Sequence, residues 1–171
     1  MRWEQLFDDL AARADHLERL AHDAEVADRR VREEATVLLG DRLRAGERPV
    51  SLLLRDGTWL RGVVAATGPG WVLLHEEGGA RQVLVPAGAV LAVRGLGRHA
   101  AAPLGAVAAR RTFVLAVRAL AGADVPVLVR TGAWDLRGSI ERVGADHLDV
   151  AVDAQEDVVV PFSAVLSIAE R

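Results

Sequence analysis

The chain has 171 residues, of which 51% are hydrophobic and 26% charged, and its formal net charge is −3. This is enough apolar material for a core, with the charge content of an ordinary globular protein. Residues 1–45 carry eight Arg against eleven Asp or Glu, and residues 46–171 carry thirteen of each sign. Neither part is the basic body that phosphate binding usually requires. The absence of Cys excludes disulfides and thiolate chemistry.

All 21 basic residues are Arg, and Lys, Asn and Tyr are absent. Lys, Asn and Tyr are encoded by AT-rich codons, so the bias indicates a genome of high GC content. Arg in place of Lys therefore reflects codon usage here and is not evidence for phosphate recognition.

The chain begins with MRWEQLFDDL, which has acidic residues where a signal peptide would need an apolar run. No segment approaches the roughly 18 uninterrupted apolar residues of a membrane span. We therefore expect a cytoplasmic protein with no membrane partner.

Residues 2–44 predict one long amphipathic helix. Pro is absent before Pro49, and Gly40 is the only glycine before Gly46. Segment 23–34 is poor in large hydrophobic residues, so the helix either breaks there or is exposed. Apolar residues recur at heptad steps, which is typical of a coiled-coil-like seam. These residues are Trp3, Leu10, Leu17, Ala24, Val31 and Leu38.

The apolar stripe of this helix has two interpretations. It packs against the rest of the chain, or it forms an interface with a second copy or a partner protein. A helix of about 60 Å exceeds the reach of the small remaining body, which favours some intermolecular use. The candidate partner-binding residues are Trp3, Leu6, Phe7, Leu10 and Leu17.

From residue 49 the hydrophobic period changes to two, which indicates β-strands separated by Gly-containing turns. The Gly- and Ala-rich segment 96–109 predicts a linker, and residues 110–120 predict a helix. The predicted strands are 50–55, 59–66, 71–75, 82–85 and 89–94, then 125–130, 134–143, 147–152, 157–161 and 164–169.

The two strand-rich segments repeat one another, which indicates a duplication. The change of offset within the alignment predicts one inserted residue in the second copy. The matching positions are Gly57 and Trp59 with Gly132 and Trp134 at an offset of 75, Gly62 with Gly138 at 76, and Val83–Pro86 with Val158–Pro161 again at 75.

A helix followed by five short strands resembles the Sm-like fold, in which a helix caps a bent five-stranded barrel. The turn Asp56-Gly57 and the mid-strand Gly62 and Gly138 carry the resemblance. A strand that bends sharply at a barrel corner has no room for a side chain. Small barrels of the SH3 or OB type would leave similar traces.

This resemblance implies an α+β protein in which a long N-terminal helix precedes two Sm-like five-stranded bent β-barrels, each preceded by a helix. The long helix would span residues 1–45 and the first barrel 46–95. The linker would span 96–109, and a helix with the second barrel would span 110–171.

The whole chain also resembles a family from high-GC Gram-positive bacteria whose members are sometimes labelled Fis-type transcriptional regulators. That label implies a C-terminal helix-turn-helix, whereas the last third predicts strand, turn, strand.

Sm-like proteins bind RNA through two loops, and the corresponding loops here lack the expected donor side chains. Nucleic-acid binding is therefore the alternative function. Trp59 and Trp134 would either form a stacking platform for bases or pack against the sheet or a helix. We expect packing for both, and also for Trp71.

The sequence predicts no catalytic set, metal site or cofactor. No two His residues have the spacing of a helical metal site, no Ser lies in a nucleophile elbow, and no Gly-rich segment matches a phosphate-binding loop. The favoured function is a non-enzymatic protein-binding, scaffold or regulatory protein, acting through a protein partner or self-association.

Overall fold

The computed structural model divides the chain into two compact units, Met1–Val37 and Leu38–Arg171. The residues that the structure describes are 22, 25, 35–79, 81–153 and 156–170. Five predicted partner-binding residues lie outside them, so their role stays a prediction: Trp3, Leu6, Phe7, Leu10 and Leu17.

Ten β-strands and two α-helices are present in the described part of Leu38–Arg171. All ten strands begin and end within two residues of their predicted bounds. The helices are α1 (Leu39–Arg44) and α2 (Phe113–Gly122). The strands are β1 (Val50–Leu54), β2 (Trp59–Gly68), β3 (Trp71–Glu76), β4 (Gln82–Pro86), β5 (Val90–Arg94), β6 (Val127–Thr131), β7 (Asp135–Val143), β8 (His147–Asp153), β9 (Glu156–Pro161) and β10 (Val165–Glu170).

The prediction of one long N-terminal helix up to residue 44 is wrong. Leu38 has extended backbone angles, φ −85° and ψ 151°, so no continuous helix runs through it into α1. Two β-branched residues, Thr36 and Val37, precede this point and have low helix propensity. Within Leu38–Arg44, only the six residues of α1 are helical. Most of residues 2–34 lie outside the described residues. No described helix has the length and apolarity needed to cross a membrane.

The predicted α+β class with two five-stranded Sm-like barrels is also wrong, because the described chain is mostly β and its ten strands form one antiparallel sheet. The strand order is β5-β1-β2-β3-β4-β10-β6-β7-β8-β9. The first repeat joins the second where β4 pairs with β10, with Leu84 opposite Ile168 and Val83 opposite Ala169. An edge strand has unpaired backbone N–H and C=O groups, and this β4–β10 junction satisfies two edges at once.

Side chains at the β4–β10 junction cross between the two hydrophobic cores. Leu166 and Ala169 of β10 pack in the core of the first repeat, which includes Leu52. Leu84 of β4 packs in the core of the second repeat, which includes Val129. Each repeat therefore buries apolar side chains supplied by the other.

Polar contacts also join the β1–β2 turn of the first repeat to the second repeat. Arg55 Nη2 donates a hydrogen bond of 2.5 Å to the carbonyl oxygen of Ser163, and Asp56 Oδ2 lies 3.7 Å from Arg130 Nη2. Burial by itself raises the pKa of Asp56, but hydrogen bonds from Thr58 and the charge of Arg130 outweigh it and lower the pKa. The ionised carboxylate therefore favours the folded state, and this contribution is lost as the pH falls through the lowered pKa.

Backbone pairing revises the alignment of the two repeats. Val50 lies opposite Gly62, whereas Val127 lies opposite Gly138, so β1 matches β6 at an offset of 77. Since β2 matches β7 at 76, the turn between these strands is one residue shorter in the second repeat and carries no insertion. Strands β4 and β5 match β9 and β10 at 75, as predicted.

Gly62 and Gly138 lie where neighbouring strands approach too closely for a side chain, as predicted. A Cβ atom at Gly62 would collide with the carbonyl group of His75 in β3. A Cβ atom at Gly138 would collide with that of Ala151 in β8. Irregularities in the pairing of β2 with β3 and of β7 with β8 follow within a few residues of each glycine.

We expect Gly62→Ala and Gly138→Ala each to lower the free energy of unfolding by about 1–3 kcal/mol, the usual cost of overpacking. Urea denaturation measures this change. Gly132→Ala is the control, because no described atom lies within 4 Å of its Cβ position. Its effect should stay within about 0.5 kcal/mol. Unchanged midpoints for the first two variants would contradict the close approach of the strands.

We expect Leu166→Ala to lower the free energy of unfolding by about 2–5 kcal/mol, because it opens a cavity in the core of the opposite repeat. Unfolding of Leu38–Arg171 should remain a single transition, since the repeats share their cores. The measurement is urea denaturation followed by far-UV circular dichroism, with the exposed Val107→Ala as control. Two separate transitions would show that the repeats unfold independently.

Candidate functional site

An apolar cleft of about 390 Å³ lies between α1, the β2–β3 turn and the segment before α2. We call it the leucine cleft. Aliphatic side chains from several parts of the fold line it: Leu38, Leu39, Leu43, Val72, Val90 and Leu104.

Two leucines at the leucine cleft are exposed while a third anchors the helix. Leu43 is buried in the core of the first repeat and fixes α1 against the sheet. Leu38 is 69% exposed, and Leu39 beside it is also exposed. Helix α1 is only six residues long and buries one apolar side chain, so Leu39 in its first turn and Leu38 just before it stay at the rim. The rim thus offers apolar surface to another molecule.

The predicted linker 96–109 forms one wall of the leucine cleft, because hydrogen bonds with α1 fix its position. Arg42 Nη2 donates to the carbonyl oxygen of Gly97 at 2.8 Å, and the N–H of Ala101 donates to the carbonyl oxygen of Asp41 at 2.9 Å. The buried Asp41 carboxylate is paired with Arg44 Nη2 at 2.9 Å. These bonds hold the linker against α1 and give the cleft a defined shape.

The opposite wall of the leucine cleft is the β2–β3 turn, which is also held in place. Gly70 has a φ of +80° at the tip of this turn, and its carbonyl oxygen accepts the N–H of Ala87 at 2.8 Å. Trp71 Nε1 donates to the carbonyl oxygen of Arg111 at 2.6 Å. Trp71 also packs against the core of the second repeat, which confirms its predicted packing role.

Trp59 and Trp134 are both exposed, so the prediction that they pack against the sheet or a helix is wrong. On β2, exposed and buried residues alternate, and the burial of Leu60 puts Trp59 on the outer face. The guanidinium carbon of Arg94 lies 4.3 Å from the centre of the Trp59 ring. Trp134 lies in the turn before β7, so the structural counterpart of Trp59 is Asp135.

Trp134 and Val159 line a second groove, together with Arg55 and Asp56 of the β1–β2 turn. Both apolar side chains are exposed. The sequence does not predict this groove. Elsewhere in the chain, a Val in a strand or a Trp beside a turn packs in or against a core, so residue type and position do not mark these two as exposed.

The titratable groups in the described residues form no cluster of three or more that could hold a metal ion. A surface pair is present at the β7–β8 turn, where His147 Nδ1 lies 2.8 Å from Asp146 Oδ1. The hydrogen bond with His147 lowers the pKa of Asp146. Asp149 contributes an oxygen 4.0 Å from the other ring nitrogen of His147.

No model of a known protein family matches the chain, and no curated protein sequence matches it. Function is therefore inferred from the surfaces of the molecule itself.

Proposed function

We propose that this protein is a non-enzymatic protein-binding scaffold whose leucine cleft receives an apolar segment of a partner protein. The observation that carries the proposal is the exposure of Leu38 and Leu39 at the rim of a cleft with apolar lining. Exposed apolar side chains grouped at a concave surface mark interaction sites.

The size and walls of the leucine cleft indicate what it would bind. A volume near 390 Å³ lies in the range of sites that enclose a few side chains rather than a whole domain. The hydrogen bonds of α1 to the linker hold the walls before binding, which reduces the entropic cost of association. Arg44, which lines the cleft and is already paired with Asp41, supplies a polar edge beside the apolar floor. These features suit a short amphipathic segment with two or three apolar anchors.

We expect the double variant Leu38→Asp, Leu39→Asp to lose its partner. Each leucine would contribute about 1.5–3 kcal/mol when covered, so affinity should fall at least about 100-fold. Partners cross-linked to the tagged protein in its own cells would be identified by mass spectrometry, and the affinity of a recovered partner would be measured by calorimetry.

The control for that experiment is Leu115→Asp, which places a carboxylate at an exposed leucine of α2 outside the cleft. This variant should keep the wild-type affinity. Equal affinity of a recovered partner for the wild type and the double variant would contradict the assignment of the leucine cleft.

Nucleic-acid binding is a second candidate, favoured by the environment of Trp59. The exposed indole ring lies beneath Arg94, and Arg61 follows two residues later on the same outer face of β2. A base that stacks on Trp59 would meet two guanidinium groups, which is the arrangement that single-strand binding uses. Arg61 is paired with Glu77, however, and this reduces the local positive charge.

For this second candidate, Trp59→Ala and Arg94→Ala should each weaken binding of a labelled single-stranded oligonucleotide. The expected loss of affinity is about 10- to 100-fold, which corresponds to the usual binding free energy of one stacked base. Fluorescence anisotropy at low and high salt measures the affinity. Trp134→Ala removes an exposed indole on which no Arg of the described residues stacks, and it should leave binding unchanged. An absence of binding by the wild type at low salt would exclude this candidate.

A further inference from the structure

A further groove, of about 540 Å³, lies between helix α2 and the strands β3 and β4. We call it the α2 groove. Its middle is apolar, because Leu73 of β3 lies opposite Leu84 of β4 on the sheet side and Leu115 lines it on the helix side. Leu115 is 47% exposed, so this apolar surface is open to another molecule.

The α2 groove has a positive charge at one end and a negative charge at the other. Arg111 precedes α2, and its carbonyl oxygen accepts the hydrogen bond from Trp71 at the first end. Glu170 lies at the opposite end, where it pairs with Val127, the first residue of the strand after α2. The two ends are separated by four residues of β4, or about 13 Å, which is too far for an ion pair within one chain.

Both charges lie at the unfavourable ends of the α2 dipole. A helix carries partial positive charge at its N-terminus and partial negative charge at its C-terminus. Arg111 lies next to the first, and Glu170 shares the groove with Ala123, the residue that caps the second. Among the described residues, neither Arg111 nor Glu170 takes part in an ion pair. Each charge would therefore be stabilised by an opposite charge brought from outside.

We propose that the α2 groove receives α2 of a second copy of this chain, related by a two-fold axis through the middle of the groove. Such an axis makes the two helices antiparallel, so Arg111 of each copy meets Glu170 of the other. A surface with one charge of each sign at opposite ends is complementary to itself under this rotation. Closed two-fold dimers require this kind of self-complementary surface.

The side chains at the middle of the α2 groove allow the two helices to approach closely. The groove-lining residues of α2 nearest its midpoint are Ala116 and Ala119, and Ala119 is exposed. Small side chains at a crossing point let helices pack at an interaxial distance of about 8 Å. Leu115 of each copy is then covered by the groove of the other. The antiparallel arrangement also brings opposite ends of the two helix dipoles together.

Light scattering on the full chain at about 100 µM tests the proposal. The wild type should have twice the monomer mass of 18.3 kDa. Arg111→Glu and Glu170→Arg each create two like-charge pairs in the dimer, so each should raise its dissociation constant at least about 30-fold. A dilution series measures this constant.

Combining the two charge reversals should restore the dimer. In an equal mixture of Arg111→Glu and Glu170→Arg, every 111–170 pair between the different chains joins an Arg to a Glu, so a mixed dimer should form. The double variant Arg111→Glu, Glu170→Arg should dimerise by itself for the same reason. A merely structural effect of either single substitution would not be reversed in this way.

Arg137→Glu is the matched control, because Arg137 is exposed on the face of β7 opposite to the buried Leu136 and does not line the groove. It should keep the wild-type mass. Circular dichroism verifies that every variant is folded.

Cysteine cross-linking tests the two-fold axis, because the chain has no native Cys. Ala119→Cys should give one oxidised species of twice the monomer mass on a non-reducing gel, since a residue near the axis meets its own copy. Arg137→Cys should give at least several-fold less of this species. A ladder of larger oligomers from Ala119→Cys would contradict the two-fold arrangement.

A monomeric wild type at about 100 µM would overturn the proposal and leave the α2 groove to a different protein. Unchanged dissociation constants for both single charge reversals would also overturn it, as would a mixture that stays monomeric. The leucine cleft is tested separately. Leu115→Asp should be monomeric, yet it should keep its affinity for a partner of the leucine cleft, which Leu115 does not line.

Discussion

The pairing of β4 with β10 is the contact on which the rest of the described structure depends. It turns two five-stranded repeats into one sheet and inserts Leu166 and Leu84 into each other's cores. Five-stranded repeats kept apart would each expose two edges with unsatisfied backbone groups. The β4–β10 junction removes two of those four edges and leaves one at each end. The remaining edges are therefore a direct consequence of how the duplication folds.

The other surfaces of interest arise where short elements leave apolar groups uncovered. Helix α1 has room to bury Leu43 but not Leu38 and Leu39, and the Gly- and Ala-rich segment it binds is too poor in large side chains to cover them. The leucine cleft results. Its walls are held by hydrogen bonds to backbone carbonyl groups and by the buried Asp41–Arg44 pair.

Local patterns predicted some features well and failed on others for identifiable reasons. Mid-strand glycines at 62 and 138 indicated close strand approach, because a glycine inside a strand often marks a bend or a close approach of another backbone. The prediction that Trp59 and Trp134 are equivalent positions is wrong. The two turns have similar sequences, and this similarity does not reveal that the second turn is one residue shorter. In a strand, a shift of one residue changes the face on which a side chain lies. The predicted long helix does not continue through Leu38. The heptad spacing of apolar residues extends to this position, but β-branched residues precede it.

The amino-acid sequence by itself determined where the strands begin and end, that they come in two copies, and which glycines lie at crowded positions. These properties follow from periodicity and turn chemistry within a few residues. Tertiary structure decided which edges meet. Leu91 and Leu166 lie in nearly identical contexts, AVLAV and AVLSI, yet one is exposed and the other buried. Their difference comes from whether a distant strand occupies the neighbouring edge, and no local pattern contains that information.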